Sequence, residues 1–518
     1  MPGADVKLGP FTAGLNNVSE IGTIPDNALS DILNFELDID GSLVSRPAII
    51  ADKASGATFA NLTMLGYAVD ANNVTFLVCA NATAGNTQMY NVATQAWTVI
   101  WSGLASGFAQ YNNTLVLTSA SAAGGYWDMG ALAFTSTPTM PIAAGIVLYQ
   151  QRFWAWGVQG TANATTLWYS NLNVISPPQS IYDWVTTSNF ITVSKGDGQW
   201  ITALVADVNA LLIFRSGSTW QFTYPGAVAN GTLRVLSPTI GAENQFCIVN
   251  YENYYLVFSA GFLYQFINYK WYPLNTKKVA FSRASLANGL QFNIRVSLFS
   301  RRAIVWYYGA TYVYSIITQT WTRWDSPTTH AGHFMMVPAS STTGDFRTAL
   351  AVTGENDATK KQLWRITDSV LQTLVGETMT CTIRTKAYAL NQYGKYKRLF
   401  SWSAEIRSSS GVQGSAFPVA LSVASVTWDQ MALTTWDVLA LGSWDNPLVP
   451  APVYQTNVAF PTATPADTVV RLLQGFRFLR SYYQLSLTAD GTTKTSPARI
   501  YAITLVLAVE AGVSKQVS

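Results

Sequence analysis

The sequence predicts an all-β protein: a β-propeller of six or seven blades followed by a C-terminal β-sandwich-like domain. The 518 residues include 18 Trp, 25 Tyr and 24 Phe beside 36 Gly and 20 Pro. β-Branched residues recur in short runs bounded by turn-forming residues, as is typical of strands. A Trp-containing strand pattern also repeats along the chain. Helix-like apolar periodicity is nearly absent from the sequence, and 466–474 is the one short helix candidate.

The repeating unit is an extended aromatic segment, a polar turn and a Trp that begins the next strand. Two copies share a TQ-x-WT pattern, at Thr94-Gln95-Ala96-Trp97-Thr98 and Thr318-Gln319-Thr320-Trp321-Thr322, and a third copy spans 263–272. Units recur about every 40 to 50 residues, the length of a four-stranded blade. One such sheet cannot bury both faces alone, so we expect ring closure. The alternative is unrelated meanders in two stacked sandwiches.

The patterns divide the chain into three parts. Residues 1–54 form an extended N-terminal segment that joins the propeller, 55–370 form the propeller, and 371–518 form the C-terminal sandwich. The last part contains a long irregular insertion, marked by the Trp-Asp pairs Trp428-Asp429, Trp436-Asp437 and Trp444-Asp445. Alternating strands on both sides of this insertion predict the sandwich.

Charge and cysteine content restrict the function classes. Only 11% of residues are charged and the net charge is +3, too small a surplus for nucleic-acid binding by bulk electrostatics. So few charges suit a surface covered by partners rather than a free monomer. Cys79, Cys247 and Cys381 lack metal-ligand or CxxC spacing, so we interpret them as buried small hydrophobic residues.

The apolar residues are spread over short strands. No run approaches the roughly 18 to 20 residues of a membrane helix, and the N-terminal sequence lacks the pattern of a secretory signal. We therefore expect no membrane-spanning segment and assembly in a cytoplasm.

The N-terminal fifty residues carry the most specific signal. They contain Phe11-Thr12-Ala13-Gly14-Leu15-Asn16, Ile24-Pro25-Asp26-Asn27, Asn34-Phe35-Glu36-Leu37, Gly41-Ser42-Leu43 and Ser45-Arg46-Pro47. This series resembles the start of phage tail nozzle and hub proteins, also called tail tubular protein B or packaged-DNA stabilisation proteins. The resemblance continues more weakly through Gln151-Arg152-Phe153-Trp154-Ala155-Trp156, Leu167-Trp168-Tyr169-Ser170, Tyr182-Asp183-Trp184 and 212–222.

The resemblance implies a structural virion protein of a short-tailed phage. It implies a homohexameric ring that continues the portal and adaptor channel, contacts packaged DNA transiently until ejection, and docks a tail fibre or tail-tip protein. A ring of copies buries the sides of every subunit, which agrees with the low charge.

Two basic stretches are candidate partner interfaces. The first lies within 277–302 and the second within 384–398, and neither contains an acidic residue. We assign them to protein partners rather than DNA, because a lumen through which DNA slides should avoid strong phosphate binding. The candidate residues are Lys277, Lys278, Arg295, Arg301, Arg302, Arg384, Lys395, Lys397 and Arg398. Solvated blade rims are the alternative interpretation.

The sequence supplies little material for catalysis, and we expect no enzyme, cofactor or metal site. His330 and His333 are the only histidines and lack neighbouring ligands. The turn from Ser194 to Trp200 resembles the Asp-box of sialidases with its spacing off by one, and an Asp-Gly turn is also ordinary hairpin chemistry. The segment Ser408, Ser409, Ser410 and Gly411 is a candidate for a loop that constricts the channel.

Two other functions remain open at this point. One is a glycan-binding or glycan-cleaving propeller at the tail tip. The other is a minor tail or baseplate protein of a long-tailed phage.

Overall fold

The computed structural model of this chain describes 22 ranges, and all structural statements below concern these residues. They are 4–19, 24–53, 62–82, 84–172, 180–194, 196–275, 279–281, 294–299, 301–308, 310–324, 333–337, 348–352, 363–367, 372–373, 380–385, 397–407, 412–418, 458–459, 468–473, 483–490, 493–494 and 499–509.

Nearly all regular structure in these ranges is β. The exceptions are two short 3-10 segments, Val228–Asn230 and Gln245–Cys247. The prediction of a helix over 466–474 was wrong, because Thr468–Leu473 is a strand whose neighbour supplies its backbone hydrogen bonds. No helix in the described ranges has the length and apolar character needed to cross a bilayer.

The N-terminal segment contains seven short strands. They are β1 (Ala4–Leu8), β2 (Gly14–Leu15), β3 (Ala28–Leu29), β4 (Asp31–Leu33), β5 (Phe35–Leu37), β6 (Leu43–Ser45) and β7 (Ala48–Lys53).

Blades 1 to 5 are antiparallel sheets of four consecutive strands. Blade 1 has β8 (Leu62–Val69), β9 (Thr75–Asn81), β10 (Asn86–Asn91) and β11 (Ala96–Trp101); blade 2 has β12 (Gly107–Tyr111), β13 (Thr114–Thr118), β14 (Gly125–Asp128) and β15 (Ala133–Ser136). Blade 3 has β16 (Gly145–Tyr149), β17 (Arg152–Trp156), β18 (Thr166–Tyr169) and β19 (Phe190–Thr192); blade 4 has β20 (Ile201–Ala206), β21 (Leu211–Arg215), β22 (Thr219–Thr223) and β23 (Thr232–Ser237). Blade 5 has β24 (Ile248–Tyr251), β25 (Tyr254–Ser259), β26 (Phe262–Ile267) and β27 (Lys270–Pro273).

Blade 6 and a closing sheet complete the ring. Blade 6 has β28 (Ile294–Phe299), β29 (Arg302–Tyr307), β30 (Ala310–Ser315) and β31 (Thr320–Trp324). The closing sheet joins β32 (His333–Val337), β33 (Thr348–Val352) and β34 (Leu363–Thr367) to β7 from the N-terminal segment. The first strands of neighbouring sheets contact one another around the ring, with the 3-10 segment Gln245–Cys247 contacting β20 between blades 4 and 5, and β32 contacts β8. The predicted β-propeller is confirmed, with six blades of consecutive strands and this closing sheet.

The Trp repeat has a clear structural role. In blades 1, 5 and 6 the turn between the third and fourth strands contains a residue with positive φ, at Gln95, Tyr269 and Gln319. The Trp of the fourth strand then faces an aromatic residue of the third strand in register. The ring pairs are Tyr90 with Trp97 (4.9 Å), Phe266 with Trp271 (4.4 Å) and Tyr314 with Trp321 (5.1 Å). Such cross-strand aromatic pairs stabilise an outer hairpin.

The described C-terminal strands form two sheets together with N-terminal strands, and the first and the last but one of them pair with each other in a separate two-stranded sheet. They are β35 (Gln372–Thr373), β36 (Thr380–Arg384), β37 (Lys397–Arg407), β38 (Val412–Pro418), β39 (Val458–Ala459), β40 (Thr468–Leu473), β41 (Tyr483–Asp490), β42 (Thr493–Lys494) and β43 (Arg499–Val509). One sheet has the order β40-β37-β43-β6-β5, with β1 on β43; the other continues blade 6 in the order β31-β4-β36-β41-β38-β39.

The described side chains of these two sheets share one core. Phe35, Leu43 and Ile500 from the first sheet belong to the same buried cluster as Ile32 and Ile383 from the second. This packing is that of a sandwich. Strands within residues 1–54 thus belong to the closing sheet and to both of these C-terminal sheets.

Candidate functional site: the outer strands of the propeller

The fourth strands of the blades lie farthest from the ring axis and differ in what covers them. In the described ranges, β11, β15, β19, β23 and β27 each end a four-stranded sheet. By contrast, β31 of blade 6 pairs in parallel with β4. We call the first five the open outer strands.

Large apolar side chains on the open outer strands face solvent. Val99, Phe190, Val235 and Tyr272 lie on four different blades and are between 42% and 53% exposed. Single exposed apolar residues are normal on a protein surface. These four lie on the outer strands of blades 1, 3, 4 and 5, and exposed apolar area on several blades of one protein is a feature of interaction surfaces.

The open outer strands also lack the charges that usually protect a sheet edge. Their sequences are AWTVIW, AFTS, FIT, TLRVLS and KWYP, with Arg234 and Lys270 as the only charged residues. Charges, prolines and bulges normally keep the unpaired backbone groups of such strands from recruiting other chains. Here β23 carries Arg234, β27 carries Lys270 and Pro273, and the pairings of β11 and β23 contain register shifts. The outer strands β15 and β19 carry none of these.

Blade 6 shows how a covered outer strand looks in the same chain. The β31 residues are buried except for Arg323, whose Nη2 donates to Asp31 Oδ1 of β4 at 2.7 Å. A second ion pair joins Arg302 Nε to both carboxylate oxygens of Glu36, at 2.7 and 2.9 Å. Backbone pairing and two partly buried ion pairs thus hold the N-terminal strands against blade 6.

The structure places the basic candidates in different environments. Arg301 and Arg384 are exposed, and their role in a partner interface stays a prediction. Arg302 is engaged by Glu36 within the chain. Lys397 and Arg398 lie on β37, which pairs with β43. The candidates outside the described residues are Lys277, Lys278 and Lys395, and the loop candidate Ser408, Ser409, Ser410 and Gly411 also lies outside them.

Arg295 lies inside the fold rather than on an outer surface. Its side chain is 3% exposed, and Nη1 donates to the carbonyl oxygen of Met64 at 3.0 Å. The guanidinium stacks 3.8 Å from the ring centroid of Phe246. Sequence position alone suggested a surface patch, whereas the tertiary fold uses this Arg to connect β28 with β8.

The Asp-box-like turn has a structural function. Arg215, which is 1% exposed, donates to both carboxylate oxygens of Asp197 at 2.5 and 2.6 Å, and Nη2 also donates to the carbonyl oxygen of Gln199 at 2.8 Å. These bonds, opposed only in part by desolvation, hold the pKa of Asp197 well below its usual range. A carboxylate held in this way is anionic at neutral pH and anchors the turn before Trp200.

The three cysteines are buried and free, as predicted. Burial raises the pKa of the Cys247 thiol to about 12 and that of Cys79 further above its usual range. Such thiols are protonated and unreactive at neutral pH. The described residues contain no group of three or more His, Cys, Asp or Glu side chains that would hold a metal ion.

Sequence reasoning missed a cavity at one mouth of the propeller axis. It has a volume of about 260 Å³ and lies where the first strands of blades 1 to 5 begin. The lining residues are Thr63, Leu65, Ala105, Ser106, Ala120, Ala144, Trp156, Val158, Gln159, Trp200, Ile201, Thr202, Glu243, Asn244 and Gln245. Below we call it the axial pocket. Because the lining residues of the axial pocket are far apart in the sequence, no local sequence motif predicts the pocket.

No protein-family model and no curated protein matches the chain. Solved structures show a distant similarity. The chain aligns with BamB from Moraxella catarrhalis at 11% identity and a TM-score of 0.37, covering 71% of this chain and 98% of BamB. It aligns with the computationally designed protein Ika8 at 12% identity and a TM-score of 0.35, covering 68% of this chain and all of Ika8. The fold assignment above therefore depends on the sheet order and strand pairing of this chain.

Proposed function

We propose that this protein is a structural component of a phage virion, a subunit of the ring that forms the hub or nozzle of a short tail. In this proposal six copies continue the portal and adaptor channel, retain packaged DNA and dock fibres, after assembly in the host cytoplasm. The mechanism is assembly itself, and no side chain needs to react.

The observation that supports the proposal is the run of five open outer strands, which have only two charged residues among them and of which four expose a large apolar side chain. A closed ring requires two different surfaces on each subunit, one for each neighbour. Blades spread around a propeller offer such surfaces on different sides of one rigid body. Burial of apolar area favours association by about 25 cal/mol per Å², a gain that is offset in part by the rotational, translational and side-chain freedom lost on binding.

The propeller axis is not the DNA conduit in this proposal. At the axial pocket, Gln245 Nε2 donates to the carbonyl oxygen of Ser106 at 2.8 Å. A side chain from the 3-10 segment that precedes blade 5 is therefore hydrogen-bonded to the backbone that precedes β12 of blade 2 within a single subunit. The channel of the proposed ring lies between copies, so each propeller forms part of the channel wall.

The decisive experiment measures assembly of the purified full-length chain by light scattering and negative-stain microscopy. We expect rings of one size, and immunogold labelling should place the chain at the tail of virions that contain it. A protein that remains monomeric at micromolar concentration and does not occur in particles would overturn the proposal.

A matched set of valine variants identifies the interface. Val99→Lys and Val235→Lys add a charge to open outer strands, and we expect each to weaken assembly about tenfold or more, or ~1.4 kcal/mol. Val208→Lys is the control, because Val208 is also exposed but lies in the turn between β20 and β21. Equal assembly of all three variants would exclude the outer strands as the interface.

A further inference from the structure

We propose that the axial pocket binds a neutral sugar ring. This inference goes beyond the proposed function, because ring assembly uses the outer strands and has no need of a ligand at the axis. It is argued from the chemistry, size and rigidity of the pocket.

The lining combines two indole rings with uncharged polar groups. Trp200 is partly exposed and offers its indole to the cavity, whereas Trp156 lines the cavity but is only 3% exposed. Gln159 supplies an exposed amide, and Thr202 lies in the wall, where its Oγ1 donates to the carbonyl oxygen of Phe214 at 3.3 Å. Amides and hydroxyls both donate and accept hydrogen bonds, as the hydroxyls of a sugar require. The apolar C–H face of a pyranose ring packs on an aromatic face, which few other small polar molecules offer.

The charge of the lining argues against other ligand classes. No Lys, Arg or His side chain contributes to it, so an anionic ligand finds no counter-charge. The only ionisable side chain is Glu243, and its Oε1 already accepts the backbone N–H of Ala260 at 3.1 Å. A single carboxylate engaged in this way suits a hydroxyl donor better than a cation that needs a full cage.

The size of the pocket restricts the ligand. Pockets for drug-sized molecules usually measure about 300 to 1,000 Å³, and this cavity measures about 260 Å³. One sugar ring fits such a volume, whereas an oligosaccharide must extend out through the mouth. Gln159 and Glu243, which are exposed residues, lie on the solvent side.

Both tryptophans are held in place before any ligand arrives. A Cβ on Gly145 would stand 2.1 Å from Trp156 Cη2, so only glycine allows the ring to lie on this backbone. Trp200 follows the turn that Arg215 anchors through Asp197 and Gln199, and its carbonyl oxygen accepts Ser216 N–H at 3.0 Å. Pre-ordered groups lose little conformational entropy on binding, which raises affinity.

The test is saturation-transfer NMR and calorimetry on the full-length chain with free methyl glycosides of glucose, galactose, mannose and N-acetylglucosamine. We expect at least one to bind with a Kd of about 1 mM. Trp200→Ala should weaken that binding about tenfold or more. Absence of binding by every glycoside would overturn the proposal, as would unchanged affinity in Trp200→Ala.

Further variants separate binding from folding and from assembly. Gln159→Ala alters an exposed lining side chain and should weaken binding without lowering the melting temperature. Tyr272→Ala removes an exposed aromatic ring from an open outer strand, and we expect it to weaken assembly and leave sugar affinity unchanged. If rings form normally and no sugar binds, the pocket proposal fails alone; if sugar binds to a chain that never assembles, the proposed function fails alone.

Choline and inorganic phosphate test the other ligand classes. We expect neither to compete with the sugar at equal concentration. If choline binds more tightly than every glycoside and Glu243→Gln abolishes its binding, the pocket is a cation site and the sugar proposal is wrong.

Discussion

Blade 6 and blades 1 to 5 present the same kind of outer strand in two different states. The outer strand of blade 6 is covered by β4 and is almost completely buried. The open outer strands of blades 1 to 5 end their sheets in the described ranges and expose apolar residues. The two groups have similar composition, so the difference teaches that these sequences are suited to being covered. In blade 6 the chain supplies the cover, and in our proposal neighbouring copies supply it elsewhere.

We expect the largest change in stability from a substitution in β4, the strand that covers blade 6. Ile32 lies on β4, is fully buried and belongs to the shared core. We expect Ile32→Ala to lower the free energy of unfolding by about 2 to 5 kcal/mol, since it deletes buried methyl groups and leaves a cavity. Urea denaturation followed by Trp fluorescence measures this change.

The matched control is Ile39→Ala, because Ile39 is the same residue type in an exposed turn between β5 and β6. Its expected change is within about 0.5 kcal/mol. Equal effects of the two variants would show that β4 does not stabilise blade 6.

The second prediction concerns an ion pair that stabilises a blade whose outer strand is open. Asp197→Asn leaves the buried Arg215 guanidinium without its carboxylate. We expect the free energy of unfolding to fall by about 2 kcal/mol at pH 7. This is less than the roughly 3 to 5 kcal/mol that breaking a fully buried ion pair costs, because Asp197 is partly exposed. The depressed pKa of Asp197 fixes the sign of the pH dependence. This stabilisation is present above the unfolded-state pKa of about 3.9 and is lost as pH falls below it.

Unfolding free energies of the wild type and of Asp197→Asn, measured from pH 7 to pH 2.5, test this prediction. We expect the two curves to converge as pH falls. Asp128→Asn is the control, because Asp128 Oδ1 accepts two backbone amides at 2.8 and 3.1 Å, bonds that an amide oxygen also accepts. A constant gap between wild type and Asp197→Asn at all pH values would contradict the ion-pair account.

We expect the smallest change in stability from a substitution on an open outer strand. Val235→Thr places a hydroxyl where it reaches solvent, so the monomer should change by less than about 0.5 kcal/mol. Val257→Thr makes the same exchange at a fully buried position of β25, where an unpaired hydroxyl costs about 1 to 3 kcal/mol. Thermal unfolding below the assembly concentration compares them. A large loss in Val235→Thr would mean that this position is buried within the monomer.

Sequence patterns predicted the local architecture well and the long-range pairings poorly. The turns at Gln95 and Gln319 and the Trp that follows each were predicted, because a hairpin depends on adjacent residues. The pairing of β7 with β34 was not, since strand partners far apart in sequence share no local signal. The strand at Thr468–Leu473 shows the same limit, because its neighbours in the sheet decide against its helix-like pattern.

The candidate site was predicted only in its general character. The low charge of the sequence led us to expect covered surfaces; the open outer strands contain few charges, and their coverage by partners stays a prediction. The burial of Arg295 was not predictable, because a charged residue is expected at the surface unless the fold supplies a partner such as the Met64 carbonyl. The axial pocket was not predictable from the sequence, because its lining residues come together only when the ring is closed.

The pairing of β7 with β34 makes the order of synthesis matter for this protein. The N-terminal strands leave the ribosome first, yet β7 waits for β34, and β1 waits for β43. A nascent or truncated chain cannot close the circle, and contacts this distant in sequence form slowly. Only a chain that contains both β7 and β34 can therefore complete the closing sheet, so this part of the ring folds late.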